Sequence, residues 1–165
     1  MSRRVVLAVA LAVVLVAAIA AGVYFFFQTQ APETPDMGNL RIAISTPDYE
    51  FVDNENAGEL LVVTGNVTNR YDGARKHIRV QGNLFDASGN VLKKSTAFAG
   101  NTLTTEELQT LPLAEIGNEL TNRKGDNNLN SGVSPDEKLP FTVVFSNLPD
   151  AMDELSVEVL ESAAQ

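Results

Sequence analysis

Apolar and polar positions divide this chain into stretches of different period. From Val5 to Phe27 the run carries no charge and has no polar face, so it does not read as a core helix of a soluble domain. Its 23 residues as a helix reach roughly 34 Å, enough to cross a hydrocarbon layer of about 30 Å with modest tilt. Tyr24 falls where an interfacial aromatic belt lies. Arg3 and Arg4 precede the run and no Lys or Arg follows until Arg41, a bias that keeps the N-terminus in the cytoplasm and exports the rest. Ala18-Ile19-Ala20 also has the small-x-small form of a signal-peptidase site, so a cleaved signal peptide competes with an uncleaved anchor. The length of the run, and the aromatic head that cleavage would leave, favour the anchor.

Beyond the run the period changes. Residues 28–38, with two prolines, two acids and no large apolar side chain except Met37, predict an extended tether. From Leu40 the period is two: Leu40, Ile42 and Ile44 alternate with polar or small residues until Pro47. Leu61, Val63, Gly65 and Val67 share one face of the next strand, with Leu60, Val62, Thr64 and Asn66 opposite, a pattern that predicts cover on both sides. Ile78, Val80, Gly82 and Leu84 form the apolar face of a strand that continues through the turn Asp86-Ala87-Ser88-Gly89-Asn90 into a hairpin ending near Ala99. Phe141, Val143 and Phe145, then Leu155, Val157 and Val159, predict two more strands. Thr104 and Glu107 make a capping box, with Leu108 and Leu111 behind it. Pro112 then starts a second helical piece on the stripe Leu113, Ile116, Leu120. Two short helices are expected over one end of the sheets, and residues 122–138 are expected to be a long loop. The predicted organisation is a cytoplasmic tip at 1–4, a transmembrane helix at 5–27, a linker at 28–38 and a mainly β antiparallel sandwich with a short helical insertion at 39–165.

Charge sharpens this picture. The chain beyond Phe27 holds 10 Lys/Arg against 21 Asp/Glu, which excludes tight nucleic-acid binding. With no cysteine there are no disulfides, thiolate zinc sites, cysteine nucleophiles or acylated lipoprotein cysteine. His77 is the only histidine and follows Arg75-Lys76 at the mouth of a strand, the setting of a solvated residue rather than a catalytic base. No Gly-x-Ser-x-Gly elbow occurs, and no pair of acids stands in an aromatic, sugar-stacking context. Gly65, Gly82 and Gly100 lie in or beside strands, where close packing explains them better than a phosphate loop does. One stretch has ligand spacing: Asp126, Asn128 and Asn130, with Glu137 after them, follow the oxygen pattern of a calcium loop. The loop's glycine, Gly132, is one position late, and a strand follows where a helix should. The sequon Asn66-Val67-Thr68 lies inside a predicted strand. No catalytic, cofactor or metal residue is assigned.

Four stretches carry a family resemblance: Leu61-Val62-Val63-Thr64-Gly65-Asn66-Val67-Thr68-Asn69, Ile78-Arg79-Val80-Gln81-Gly82-Asn83-Leu84-Phe85-Asp86, Ala99-Gly100-Asn101-Thr102-Leu103 with Glu107-Leu108, and Leu139-Pro140-Phe141-Thr142-Val143-Val144-Phe145. In these the region from Gly58 to about Glu161 resembles an uncharacterised bacterial family of exported domains. Its members commonly carry a zinc-ribbon finger in the cytoplasm, one membrane helix and this domain outside. Leu84-Phe85-Asp86 is also similar to the motif of immunoglobulin-like bacterial domains named for Phe-x-Leu-Tyr-Asp, with Gly82 in the first position and Phe85 in the Tyr position. The resemblance implies an immunoglobulin-like sandwich and no established activity, and without cysteines this chain has no zinc ribbon. The resulting expectation is a non-enzymatic protein of the bacterial inner membrane, held in the bilayer through residues 5–27, with its domain on the periplasmic side meeting an envelope protein. The expected contact surface is the Leu60-Val62 face or the helical end. The alternatives are a calcium-stabilised envelope module and, behind it, a carboxylate enzyme acting on envelope polymers.

Overall fold

The computed structural model describes residues 36–165, so the transmembrane reading of residues 5–27 and most of the tether lie outside the described residues. Among the described residues no helix is long and apolar enough to cross a membrane. The described part is mainly β, with antiparallel sheets and few helices. In chain order the strands are β1 (Ile42–Ile44), β2 (Asp48–Asn54), β3 (Gly58–Asn69), β4 (Arg75–Phe85), β5 (Val91–Phe98), β6 (Lys138–Phe145) and β7 (Glu154–Ala164). Helices α1 (Thr105–Thr110) and α2 (Leu113–Leu120) and a short 3-10 segment, Asp126–Ser131, separate β5 from β6.

In the first sheet β3 is central. It pairs with β6 along residues 61–68 on one side, while β1 and β2 share its other side, at residues 67–69 and 58–64. The second sheet runs β5-β4-β7. Leu61, Val63 and Val67 of β3 and Phe141, Val143 and Phe145 of β6 are buried with Ile78, Val80 and Leu84 of β4 in one core. Gly82 of β4 lets the two sheets approach: a Cβ there would lie 2.8 Å from Phe145 Cζ of the opposite sheet. Gly65 makes the same allowance for its cross-strand neighbour Phe141, whose Cζ would lie 2.7 Å from an added Cβ. Both glycines therefore serve close packing, as their places in the strand pattern implied.

Two-sided cover of β3 is also observed: Leu60 and Val62 are as fully buried as Leu61 and Val63. The cover comes from the helices. Val144, paired with Val62, lines a crevice with Leu113, Ile116 and Leu120 of α2. The helical insertion thus lies over the Leu60-Val62 end of the outer face of the first sheet, and that part of the face is buried and unavailable as a contact surface. The reason is local. Thr104 and Glu107 form the capping box at the start of α1, and the β2–β3 turn satisfies its far end. Asn54 Nδ2 donates to the carbonyls of Leu108 at 2.7 Å and Leu111 at 2.9 Å, Glu55 N–H to Gln109 at 2.8 Å, and Asn56 Nδ2 to Thr110 at 2.8 Å. Carbonyls left over at the end of a helix need such donors, and these tie α1 to β2.

Residues 122–138, expected to be a long loop, are organised by side-chain amides. Asn130 is fully buried, and its carboxamide meets the Ile78 N–H at 2.8 Å and the Ile78 carbonyl at 2.9 Å. Beyond Phe98, where β5 ends, Ala99 still donates its N–H to the Ile78 carbonyl at 2.9 Å, and the Asn130 side chain supplies the acceptor for the Ile78 N–H. Asn101 gathers the carbonyls of Phe98, Leu120 and Asn122, and Asn69 those of Gly73 and Val133. Val133 and Arg75 exchange backbone hydrogen bonds, extending the sheet past its formal end. Asp36 and Met37, the first of the described residues, already bond to the β body. Met37 accepts from the Ser162 N–H of β7 at 3.1 Å, and the Tyr71 hydroxyl donates to the Asp36 carboxylate at 2.7 Å, so the last residues of the expected tether continue the sheet.

Asn130→Ala is expected to leave the buried Ile78 N–H without a partner, while the Ile78 carbonyl keeps the Ala99 N–H, and to lower stability by about 1–3 kcal/mol. Gly82→Ala, which sets a methyl against the Phe145 ring, is expected to cost about 1–3 kcal/mol. Urea unfolding followed by circular dichroism measures both, and an unchanged midpoint for Asn130→Ala contradicts the ladder role of that side chain.

Candidate functional site

The two sheets do not close evenly along the flank where β1, β2 and β7 form their edges. At one end the chain itself seals the gap: Met37 bonds to β7, Asn39 Nδ2 donates to the Val159 carbonyl at 3.2 Å, and Ile42–Ile44 pairs with β3. Past Thr46-Pro47 the chain commits to the first sheet as β2, and nothing among the described residues covers the space between β2 and the start of β7. An open cleft of about 540 Å³ remains there, with Leu61 at its floor and Pro47, Tyr49, Phe51, Met152 and Leu155 on its walls. Alternation along β2 directs Tyr49 and Phe51 to the cleft side, since they pair with the inward-facing Val63 and Leu61. Both stay largely in solvent, Tyr49 at 67% and Phe51 at 50% exposure, because β7 leaves no opposing side chain to bury them.

Charge around the cleft has one sign. Asp153 and Glu154 line it, and Asp48, Glu50 and Asp53 belong to β2. No Lys, Arg or His occurs from Ser45 to Asn69 or from Asn147 to Gln165, the two segments that form this flank. The basic residues lie elsewhere and several are paired, Arg41 with Asp72 at 2.9 Å, Arg79 with Glu161 at 3.4 Å, and Arg70 with Asp136. The lining offers apolar contact, carboxylates, one phenol and two free strand edges. That chemistry suits holding an extended chain more than transforming it.

The residues with calcium spacing do not form a common site. Asp126 accepts from the Thr102 N–H at 3.0 Å, Asn130 is committed to Ile78 in the core, and Glu137 accepts from the Ser134 N–H at 2.6 Å. Asn128 is exposed, at a left-handed φ of 63°. The side-chain oxygens of Asp126, Asn130 and Glu137 each brace a different piece of backbone. Among the described residues no group of three or more His, Asp or Glu side chains converges on a possible metal position. Asn66 of the sequon lies within β3, exposed, with its N–H bonded to Ser45 Oγ at 3.0 Å.

His77 is less solvated than its sequence context implied. It sits at a break in the β4–β7 register with a left-handed φ of 55°, and its Nδ1 is buried without a hydrogen-bond partner. Desolvation, with the positive charges of Arg123, Lys76 and Lys124, holds its pKa below the ordinary value. The unfolded chain then binds this proton at higher pH than the folded one. The contribution of the neutral ring to stability is full above about pH 6.5 and is lost as pH falls through that value toward the folded pKa. His77→Asn, which tolerates the left-handed backbone, is expected to flatten the loss of stability as pH falls below about 6.5 while leaving the midpoint at pH 8 little changed. Thermal melts across that range check it, and an unchanged slope refutes the assignment.

Two signals for the cleft were present in the sequence: aromatics at alternate positions, Tyr49 and Phe51, and the basic-free flanking segments. They are spread through a stretch rich in acids that did not read as a strand. Residues 42–159 match the family DUF3426, described as a protein of unknown function. No curated protein and no solved structure matches the chain.

Proposed function

The chain belongs to the DUF3426 family, and we propose that its β-rich body is a non-catalytic interaction module, using the open flank between β2 and β7 as its contact surface. The observation that carries this reading is the pair Tyr49 and Phe51, half or more exposed on a strand whose outer edge is unpaired among the described residues. Exposed aromatics beside a free edge are costly to leave in water and prone to unwanted pairing, so their presence favours a site that a partner covers. The apolar run at residues 5–27, with Arg3 and Arg4 before it, supports anchoring in the bacterial inner membrane with the N-terminus cytoplasmic and this domain on the far side. An immunoglobulin-like fold fits the way the first strand region serves both sheets, through Met37 and then β1.

A photoreactive residue placed at Phe51 in living cells is expected to give discrete adducts with an envelope protein. The same residue at exposed Asn118 on α2 is expected to give none. Equal labelling from both positions, or none from Phe51, counts against the flank as a contact surface. In spheroplasts, protease added outside is expected to digest the C-terminal domain; protection of that domain refutes the topology.

A further inference from the structure

We infer that the flank accepts an extended cationic segment, apolar at alternate positions, which adds as a strand to the free edge of β2. This rests on the interaction-module reading and names the chemistry of the partner. Side chains of an added strand alternate between two sides. On the cleft side they would bury Tyr49 and Phe51 and fill the space above Leu61 between Met152 and Leu155. On the other side they would lie beside Asp48 and Glu50, which alternation sends away from the cleft. Asp53, Asp153 and Glu154 add negative charge along the cleft itself. Lys or Arg opposite Asp48 and Glu50 forms favourable cross-strand pairs, the other acids add attraction at longer range, and residues 45–69 and 147–165 hold no basic residue.

The same charges argue against the nearest alternative occupant. A second copy pairing β2 with β2 would lay two acidic strands side by side with no basic residue on either, and like charges across a ladder destabilise it. Acids on an edge strand do serve to prevent such self-pairing. That service accounts for the carboxylates but not for two aromatic rings left in water between them.

The test uses the full chain in zwitterionic lipid nanodiscs, titrated with a fluorescent peptide as long as β2 in which Val and Lys alternate. Saturable binding is expected, and it should weaken about tenfold when Asp48→Asn, Glu50→Gln and Asp53→Asn are combined. A Ser/Lys peptide of equal charge and a Val/Glu peptide of equal pattern are each expected to bind at least about tenfold more weakly. Higher salt should weaken the Val/Lys complex. Failure of the Val/Lys peptide to bind, equal binding of the Val/Glu peptide, or an undiminished affinity in the neutralised chain overturns the inference. So does self-association of the neutralised chain without any Val/Lys binding by the unaltered one, since the acids would then only keep copies apart. These outcomes are separable from the broader reading. Adducts at Phe51 with a partner that the Val/Lys peptide does not displace would sink the cationic strand and keep the module, whereas absence of adducts would sink the module.

Discussion

A backbone N–H or carbonyl shut away from water has to find a partner, and in this protein the regular ladders run out before the core does. Side-chain amides make up the difference. Asn54 receives the end of α1, Asn69 and Asn101 collect loop carbonyls, and Asn130 accepts the Ile78 N–H that the end of β5 leaves over. A carboxamide carries one acceptor and two donors in a fixed plane, much like a peptide group, which lets it stand in for backbone. All four of these asparagines are buried. The helical cover on β3 and the ordering of residues 122–138 both depend on them, and so does the burial of Leu60 and Val62.

With the Leu60-Val62 part of the first sheet's outer face closed by helices, the cleft between β2 and β7 combines an apolar lining with open strand edges. It exists because the N-terminal chain can seal only part of the flank. Residues 36–44 bridge both sheets, and Pro47 then precedes β2, which stays with β3 alone. Aromatic rings directed into the gap meet no opposing strand. The acids along both bordering segments keep this edge soluble and unpaired with its own copies, and they also decide which kind of chain would be welcome there.

His77 shows how position overrides composition. The run Arg75-Lys76 before it read as a solvated strand mouth, yet at the register break Nδ1 is buried and unpartnered. Only the register break, which depends on β7 and on Asn130 holding Ile78, settles where that ring points.

Alternation carried most of the sheet. The inward faces of β3, β4 and β6 and the two-sided burial of β3 could be read residue by residue, because a strand exposes its period directly in the chain. The capping box of α1 was legible for a similar reason, since all of its atoms lie within one turn. β2 was not, because its acids and its half-exposed aromatics leave no clean contrast between a wet and a dry face. Nor could spacing show that Asp126, Asn130 and Glu137 brace three separate backbone segments, as ligand geometry and structural bracing draw on the same side-chain oxygens. The sequence by itself determined which faces of which segments avoid water. Only the tertiary structure decided what covers them, where the flank stays open and which polar side chains are consumed inside, because those outcomes depend on contacts between residues far apart in the chain.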